Sequence, residues 1–309
     1  MKNSAVVITC YNYEDYIGDA IRSVQAQTMA PAEVVVIDDG SIDGSRKVAT
    51  SLLDGDSRGK VVTQENQGQL ASFEAGVRET TAEWVFFLDA DDEYSPDHIE
   101  IFQKALEKNP KGTFFFCRPK VMGDSSQKVW CYQGPYGDFG YSSLLALGGM
   151  GVQCAGMIGS VTSGLCIHRS VLEDFLPLPQ RFHKEWRTRA DDVLNFGSSF
   201  AGARKIGIED HFVNYRIHGS NAHAGQDSAK LRDIGRAGIA ARLKGELANR
   251  FGYNLPGIMR ALASEYAEVP FKTRVLRAQY LKAALHAELA IDVRFRQWWR
   301  IRKMKGIVD

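Results

Sequence analysis

The chain opens on short apolar runs that alternate with amphipathic segments. Val6-Val7-Ile8 is a β-branched run ended by a polar turn, after which Ile17, Ala20, Ile21 and Val24 recur at helical spacing. Glu33 to Ile37 reads as the next strand and stops at Asp38-Asp39-Gly40-Ser41. The pattern then predicts a helix over 45–53, a strand at 60–63, a helix over 69–80 and a strand at 84–88. Another helix is expected to start near Pro96, with the proline in its first turn, and to lead to a strand at 113–117. Strands alternating with helices in this way imply an α/β fold with a mostly parallel sheet covered on both faces.

Beyond residue 118 the periodicity weakens. Gly148-Gly149-Met150-Gly151 suggests long loops, Ser163 to His168 reads as a strand, and Asp191 to Phe200 reads as a helix. Short strands are expected at Lys205–Ile208 and Phe212–Ile217. After Gly225 the texture changes to Ala, Leu, Arg and Lys at helical spacing, broken near Gly252–Pro256 and at Pro270. Three segments result: 1–118 and 119–225, two halves of one catalytic-sized domain, and a helical appendage over 226–309.

With 309 residues, 44% of them hydrophobic and 24% charged, the chain can bury a sizeable core, which excludes fibrous and disordered classes. A formal net charge of +1 gives no sign of a nucleic-acid partner. That balance hides an asymmetry, because residues 226–309 carry +9 and residues 1–225 carry −8. The five cysteines, Cys10, Cys117, Cys131, Cys154 and Cys166, never fall in a CxxC pair, so neither a disulfide framework nor a zinc knuckle is suggested. A reducing compartment fits. The apolar stretch Ala5 to Ile8 is too brief for a signal peptide, and no run reaches 18 apolar residues, so a cytoplasmic location is expected.

Ligands bind such sheets outside the carboxyl ends of the strands. Thr9, Tyr11 and Asn12 follow the first strand, Asp38 and Asp39 the second, Glu65 and Asn66 the third, and Asp89, Asp91 and Asp92 the fourth. The sharpest signal is Leu88-Asp89-Ala90-Asp91-Asp92, whose carboxylates at i and i+2 can reach one divalent cation while phosphate oxygens complete its shell. The same residues also read as an acidic turn capping the next helix. Asp38-Asp39-Gly40-Ser41 with Asp43 carries the same ambiguity. In the turn Thr9-Cys10-Tyr11-Asn12-Tyr13 a tyrosine ring offers a stacking face, and a nearby carboxylate can accept an imide N–H, a combination that suits a uracil-type base.

Taken together, Val6 to Asp92 resembles the nucleotide-binding half of a family 2 glycosyltransferase with a GT-A fold. The resemblance is carried by Thr9-Cys10-Tyr11-Asn12 with Tyr16-Ile17, by Ala26-Gln27-Thr28, and by Val36-Ile37-Asp38-Asp39-Gly40-Ser41 with Asp43. Glu65-Asn66-Gln67-Gly68 and Leu88-Asp89-Ala90-Asp91-Asp92 complete it, all in family order. It implies inverting transfer of a sugar from a nucleoside diphosphate sugar, a UDP-sugar first, with Mn²⁺ or Mg²⁺. Thr9, Tyr11 and Asp39 would hold the base with Asp38 in support, Asn12, Asn66 and Ala90 would line the nucleotide, and Asp89, Asp91 and Asp92 would hold the metal diphosphate. Thr162-Ser163-Gly164 resembles the strand that floors the acceptor site. Ala190-Asp191-Asp192 resembles the acidic pair that opens the helix supplying the base, for which Asp192 is the first choice and Asp191 the next. An inverting displacement needs that carboxylate because the acceptor hydroxyl loses its proton as it attacks. The bland alternative is an N-cap and a first-turn acid. Asn214 to Asn221 resembles the segment closing the catalytic half, where His218 would donate to the diphosphate or ligate the metal, and Arg216 would neutralise leaving-group charge. The acceptor implied is a glycan or a lipid-linked hydroxyl in cell-surface polysaccharide synthesis.

The appendage lies outside that resemblance. Over 293–305, Arg294, Arg296, Arg300, Arg302, Lys303 and Lys305 interleave with Val293, Phe295, Trp298, Trp299, Ile301 and Met304. Such a helix either lies on the anionic inner face of a membrane or packs its tryptophans against the catalytic domain or a second subunit. Two other functions stand beside glycosyl transfer. A nucleotidyltransferase making nucleotide sugars would need a Gly-rich basic loop after the first strand, and Thr9 to Asp15 has no Gly, Lys or Arg. A noncatalytic nucleotide-sugar-binding protein is the third class.

Overall fold

The structure is a computed structural model that describes residues 3–122, 132, 134–141, 158–218, 229–253, 262–270, 272–286 and 290–307. Cys131, Cys154, the glycine run at 148–151, residues 219–221 and His223 lie outside them. Eight strands form one sheet: β1 (Ser4–Cys10), β2 (Glu33–Asp38), β3 (Gly59–Thr63), β4 (Trp84–Asp89), β5 (Phe114–Met122), β6 (Asp138–Tyr141), β7 (Leu165–His168) and β8 (Arg204–Arg216). Their order is β3-β2-β1-β4-β7-β5-β8-β6. The chain runs outward from β1 through β2 to β3, then crosses back to place β4 on the other side of β1. The crevice at the carboxyl ends of β1 and β4 is therefore the topological switch point, where open α/β sheets bind ligands.

Both faces of this sheet are covered. Val6, Ile8, Val34, Val36, Phe86 and Leu88 face one buried cluster, into which α1 (Ile17–Gln25), α2 (Ser45–Leu53) and α4 (His98–Lys108) pack. Their neighbours Val7, Val35, Ile37, Val85 and Phe87 face a second cluster, with α3 (Gln69–Glu79), α5 (Arg169–Phe175) and α7 (Asp191–Phe200). The period-two alternation thus sends apolar residues to both sides, which is why the strands read as continuous apolar runs. On the second face α3 lies close to β1. A Cβ on Gly76 would sit 2.2 Å from Val7 Cγ1, so only glycine permits that approach. A short α6 (Arg181–Glu185) precedes α7.

The appendage folds into α8 (Ala229–Arg250), α9 (Leu262–Glu268), α10 (Arg274–His286) and α11 (Ile291–Lys303). Leu243, Leu247, Leu262, Tyr266, Leu276, Tyr280 and Ile301 join the second cluster, so the helical region shares a core with the sheet. No described helix is long and apolar enough to cross a membrane.

The predicted elements of residues 1–110 form with shifts at their ends, and differences concentrate further on. Pro96 lies before α4, whose N-cap is Asp97. The chain there is already committed, since Pro96 O accepts from Thr28 N at 2.7 Å and Ser95 O from Gln27 Nε2 at 2.6 Å. Thr162–Gly164 is a 3-10 turn before β7, and the two short strands expected at 205–217 are the single β8. β5 and β8 accommodate that length through a register shift between Phe116 and Arg118. The sheet is largely parallel, but β7 runs antiparallel to β4 and β5, and β6 antiparallel to β8.

Candidate active site

Thr9 and Asp89 are paired across β1 and β4, and Thr9 Oγ1 donates to Asp89 Oδ1 at 3.3 Å. Ala90 N donates to Thr9 O at 3.2 Å, which continues the pairing one residue past the strand. The loop after β1 is sewn to the loop after β2. Asn12, at φ 57°, donates its backbone N–H to Ser41 Oγ at 3.0 Å and accepts from Ile42 N through Oδ1 at 2.9 Å. Asn12 therefore shapes the rim, while Tyr11 stands 44% exposed upon it.

The two acids after β2 differ in occupation. Asp39 accepts from Gln64 Nε2 (2.8 Å) and Gln67 N (2.9 Å) on Oδ1 and from Gly68 N (2.7 Å) on Oδ2. These bonds hold the loop that carries Asn66, whose Oδ1 in turn accepts from the Arg187 guanidinium. Asp38 accepts from Ser41 N at 3.1 Å on Oδ1, while its Oδ2 is buried without a hydrogen-bond partner. Such an orphaned acceptor costs free energy unless a ligand donor reaches it. Neither acid caps α2, whose N-cap is Gly44.

Asp89, Asp91 and Asp92 divide the work of the acidic turn. Ser163 Oγ donates to Asp92 Oδ2 at 2.6 Å and Arg216 N to Asp92 Oδ1 at 2.9 Å, so Asp92 fastens the turn to the 3-10 turn before β7 and to the end of β8. Asp91 meets His218 Nε2 through Oδ2 at 3.0 Å. Burial and the neighbouring Asp91 carboxylate push Asp89 up to about 7, and burial with the charges of Asp91 and Asp89 drives Asp92 well above the ordinary range. The turn does not cap α4, whose N-cap is Asp97. Three carboxyl groups are thus crowded into one buried turn, and a divalent ion would favour their ionised forms. The donors offered are carboxylate oxygens and the His218 imidazole. Among the described residues, the ligand atoms of Asp89, Asp91, Asp92 and His218 do not close into a group of three within 4.8 Å of one another.

Arg216 is held by this network. Its Nε donates to Asp91 O at 3.0 Å, its guanidinium to Asp19 Oδ2 at 3.1 Å and to Glu93, and it lies over the Tyr16 ring. The His218 ring stacks on Tyr16 with centroids 4.4 Å apart. The acidic pair sits in the first turn of α7, as the first-turn reading expects, but neither acid is the N-cap, which is Ala190 with no side-chain cap bond. Asp191 is pushed up to about 8, chiefly by burial, then by Asp192, with Arg189 opposing and Asp89 adding to the rise. Asp192 pairs with Arg189 at 3.5 Å and acts on the buried Lys244, whose ammonium burial lowers to about 8.

Gln69 was not singled out by the sequence. Its Nε2 donates to Asp89 Oδ1 at 2.8 Å while its Oε1 accepts from Ala190 N at 2.9 Å, so one amide spans the acidic turn and the start of α7. Gly68 allows it. Its φ of 96° and ψ of 172° belong to a region essentially restricted to glycine, and a Cβ would meet Arg187 Cα at 2.6 Å. A glycine ahead of a helix whose first side chain is an amide was the available signal.

The fold is that of a GT-A glycosyltransferase, and comparison with known proteins agrees. Residues 5–175 match the family described as Glycosyl transferase family 2, and the chain belongs to that family. An uncharacterized glycosyltransferase of Nostoc sp. strain PCC 7120 is 32% identical over 252 residues, 80% of this chain and 74% of that one. Glycosyltransferase GlyA of Streptococcus pneumoniae is 29% identical over 134 residues, 39% of this chain but 19% of GlyA. Among solved structures, S. aureus TarS 1-349 in complex with UDP-GlcNAc superimposes with a TM-score of 0.58 at 17% identity, covering 100% of this chain and 95% of that one. At that identity the likeness speaks for the fold.

Proposed function

We propose that this glycosyltransferase moves a sugar, with inversion, from a nucleoside diphosphate sugar to a hydroxyl of a glycan or lipid-linked acceptor in the cytoplasm, a UDP-sugar being the favoured donor. The observation that carries the reading is the convergence of the β1, β2 and β4 ends on one rim, where Asp91 meets His218. Residues 1–118 form the donor half and 119–225 the acceptor half. Tyr11 offers its exposed ring to the base, and Thr9, Asp38 and Asp39 at the adjoining strand ends would hold it, Asp38 keeping one carboxylate oxygen without a hydrogen-bond partner. Asn12, Asn66 and Ala90 shape the nucleotide's edge. Asp91 and Asp89 would hold Mn²⁺ or Mg²⁺, with His218 beside them and Asp92 fixing the turn; the ion would supply charge neutralisation to the diphosphate leaving group. His218 either ligates that ion or donates a hydrogen bond to the diphosphate, and Arg216, clamped by Asp19 and Glu93, keeps the loop in place.

Of the acidic pair, Asp191 is the better base. Arg189 pairs directly with Asp192 at 3.5 Å, whereas Asp191, although Arg189 lowers it too, is raised on balance by burial and by the Asp192 charge. A transfer and donor-hydrolysis assay over UDP, GDP, dTDP and CDP sugars, with Mn²⁺, Mg²⁺ or chelator, tests the function. Turnover of one donor class with a cation is expected; a protein that turns over none of them and makes nucleotide sugars from triphosphate instead would overturn it.

α11 supports peripheral contact with the membrane face that would present a lipid-linked acceptor. Ile291, Phe295 and Trp299 recur every four residues and are 77%, 58% and 48% exposed, while Gln297 and Ile301 face inward. Lys303 lies 3.8 Å over the Trp299 ring, and Arg296, Arg300 and Arg302 are exposed around the stripe. Such a helix binds anionic lipid through apolar insertion and charge. Co-sedimentation with phosphatidylglycerol vesicles, weakened by salt and by Trp299→Ser with Phe295→Ser, is the expected outcome. Equal binding to phosphatidylcholine, or a protein that stays in solution as a dimer through these helices, would count against it.

A further inference from the structure

We infer that His98, Cys117 and His211 form a second, structural cation site for a thiophilic ion of the zinc class, separate from the catalytic rim. The three side chains come from α4, β5 and β8, and one ligand atom from each lies within 4.8 Å of the others. Their exposures are 0%, 0% and 6%, so the group is walled off from water. This inference does not rest on the proposed reaction.

The local chemistry points to a ligand. His98 Nδ1 and His211 Nε2 are 2.9 Å apart, and only one of two neutral rings can donate across that distance. Whichever does, His98 Nε2 remains buried without a partner. The His98 ring is fixed against Tyr94, with centroids 3.9 Å apart and planes 6° from parallel, and against Phe102 at 4.7 Å. It cannot swing out to find water. Burial favours the uncharged form of both imidazoles, opposed at His211 only by Asp97, and neutral imidazole is the form that ligates metals. Cys117 falls within the β5–β8 register shift, between Phe116 and Arg118. Two imidazoles and a thiol, which loses its proton to solvent as the ion enters, make the mixed nitrogen and sulfur set that Zn²⁺ accepts and that Mg²⁺ does not seek. Sequence spacing gave no hint because the ligands are 19 and 94 positions apart along the chain.

The site would act as a pin. α4 follows the turn bearing Asp91, and β8 leads to His218, with Glu93 and Asn214 bridged between them. An ion joining α4, β5 and β8 therefore fastens the two segments that bring Asp91 and His218 together, while remaining out of reach of substrate.

Co²⁺ is the probe, because thiolate ligation gives a near-ultraviolet charge-transfer band that oxygen ligands do not. Full-length protein stripped by chelator and titrated with Co²⁺ is expected to develop the band at about one equivalent, with Zn²⁺ abolishing it and raising Tm. Asp91→Ala should retain the band; Cys117→Ser should lose it, and His211→Gln should weaken binding at least tenfold, with circular dichroism confirming that each variant folds. A wild-type protein with no band overturns the site even if neither variant folds. A band that survives both substitutions overturns it as well.

Discussion

Asp191→Asn is expected to lower kcat by about 10²–10⁴-fold, the range for loss of a general base, and to leave donor affinity unchanged. The amide keeps the size of the side chain at the first turn of α7 but cannot take the acceptor's proton. Asp192→Asn, which breaks a pairing with Arg189, should cost less. The pH profile separates a base from a positioning residue. Burial and the charge of Asp192 raise Asp191 to about 8, so the active, deprotonated form gains population as pH rises. For wild type, kcat/KM should therefore climb along a limb near pH 8 rather than near 4, and the Asn variant should lose that limb. The stability consequence has the opposite sign. Because the folded state retains this proton to higher pH than the unfolded chain does, Asp191 makes the protein less stable as pH rises from the ordinary carboxylate range through about 8. Comparable losses in both variants with an unchanged pH profile would remove Asp191 from the role of base.

Asp91→Ala has the second large effect. It removes the carboxylate that meets His218 and the charge that helps raise Asp89. Without it, transfer should fall by about 10²–10³-fold, the cost of losing one charge-stabilising group at a leaving group, and the cation should no longer strengthen nucleotide binding. Asp92→Ala should behave differently, lowering Tm first, because both its oxygens are spent on Ser163 and Arg216. Assays of transfer and of thermal unfolding on the two variants distinguish a ligand from a brace. Full activity in Asp91→Ala would exclude the acidic turn from the chemistry.

The first 110 residues were legible because each of their signals is local. A β-branched run, a polar turn and an amphipathic helix specify one another over some twenty residues, and chemistry collects wherever a parallel strand ends. The division of labour within the acidic groups was not legible. Nothing in Leu88-Asp89-Ala90-Asp91-Asp92 says that Asp92 would be consumed by a serine 71 positions away, or that Asp39 rather than Asp38 would have both oxygens occupied by the 64–68 loop. Those assignments depend on tertiary contacts. The same holds for Gln69, whose bridging role exists only once Ala190 N is brought to it. β6, four residues long and at the sheet edge, carries too short a pattern to detect, and β8 read as two strands because it is long enough to need an irregular register with β5.

Calorimetric titration of UDP into the protein, with Mn²⁺ and with chelator, bears most directly on the catalytic rim. Saturable one-site binding that needs the cation, and that weakens when Asp91 is replaced by alanine, is the expected result. Cation-independent binding of equal strength in both proteins, or no binding of any nucleoside diphosphate, would contradict a metal-held diphosphate at the ends of β1 and β4.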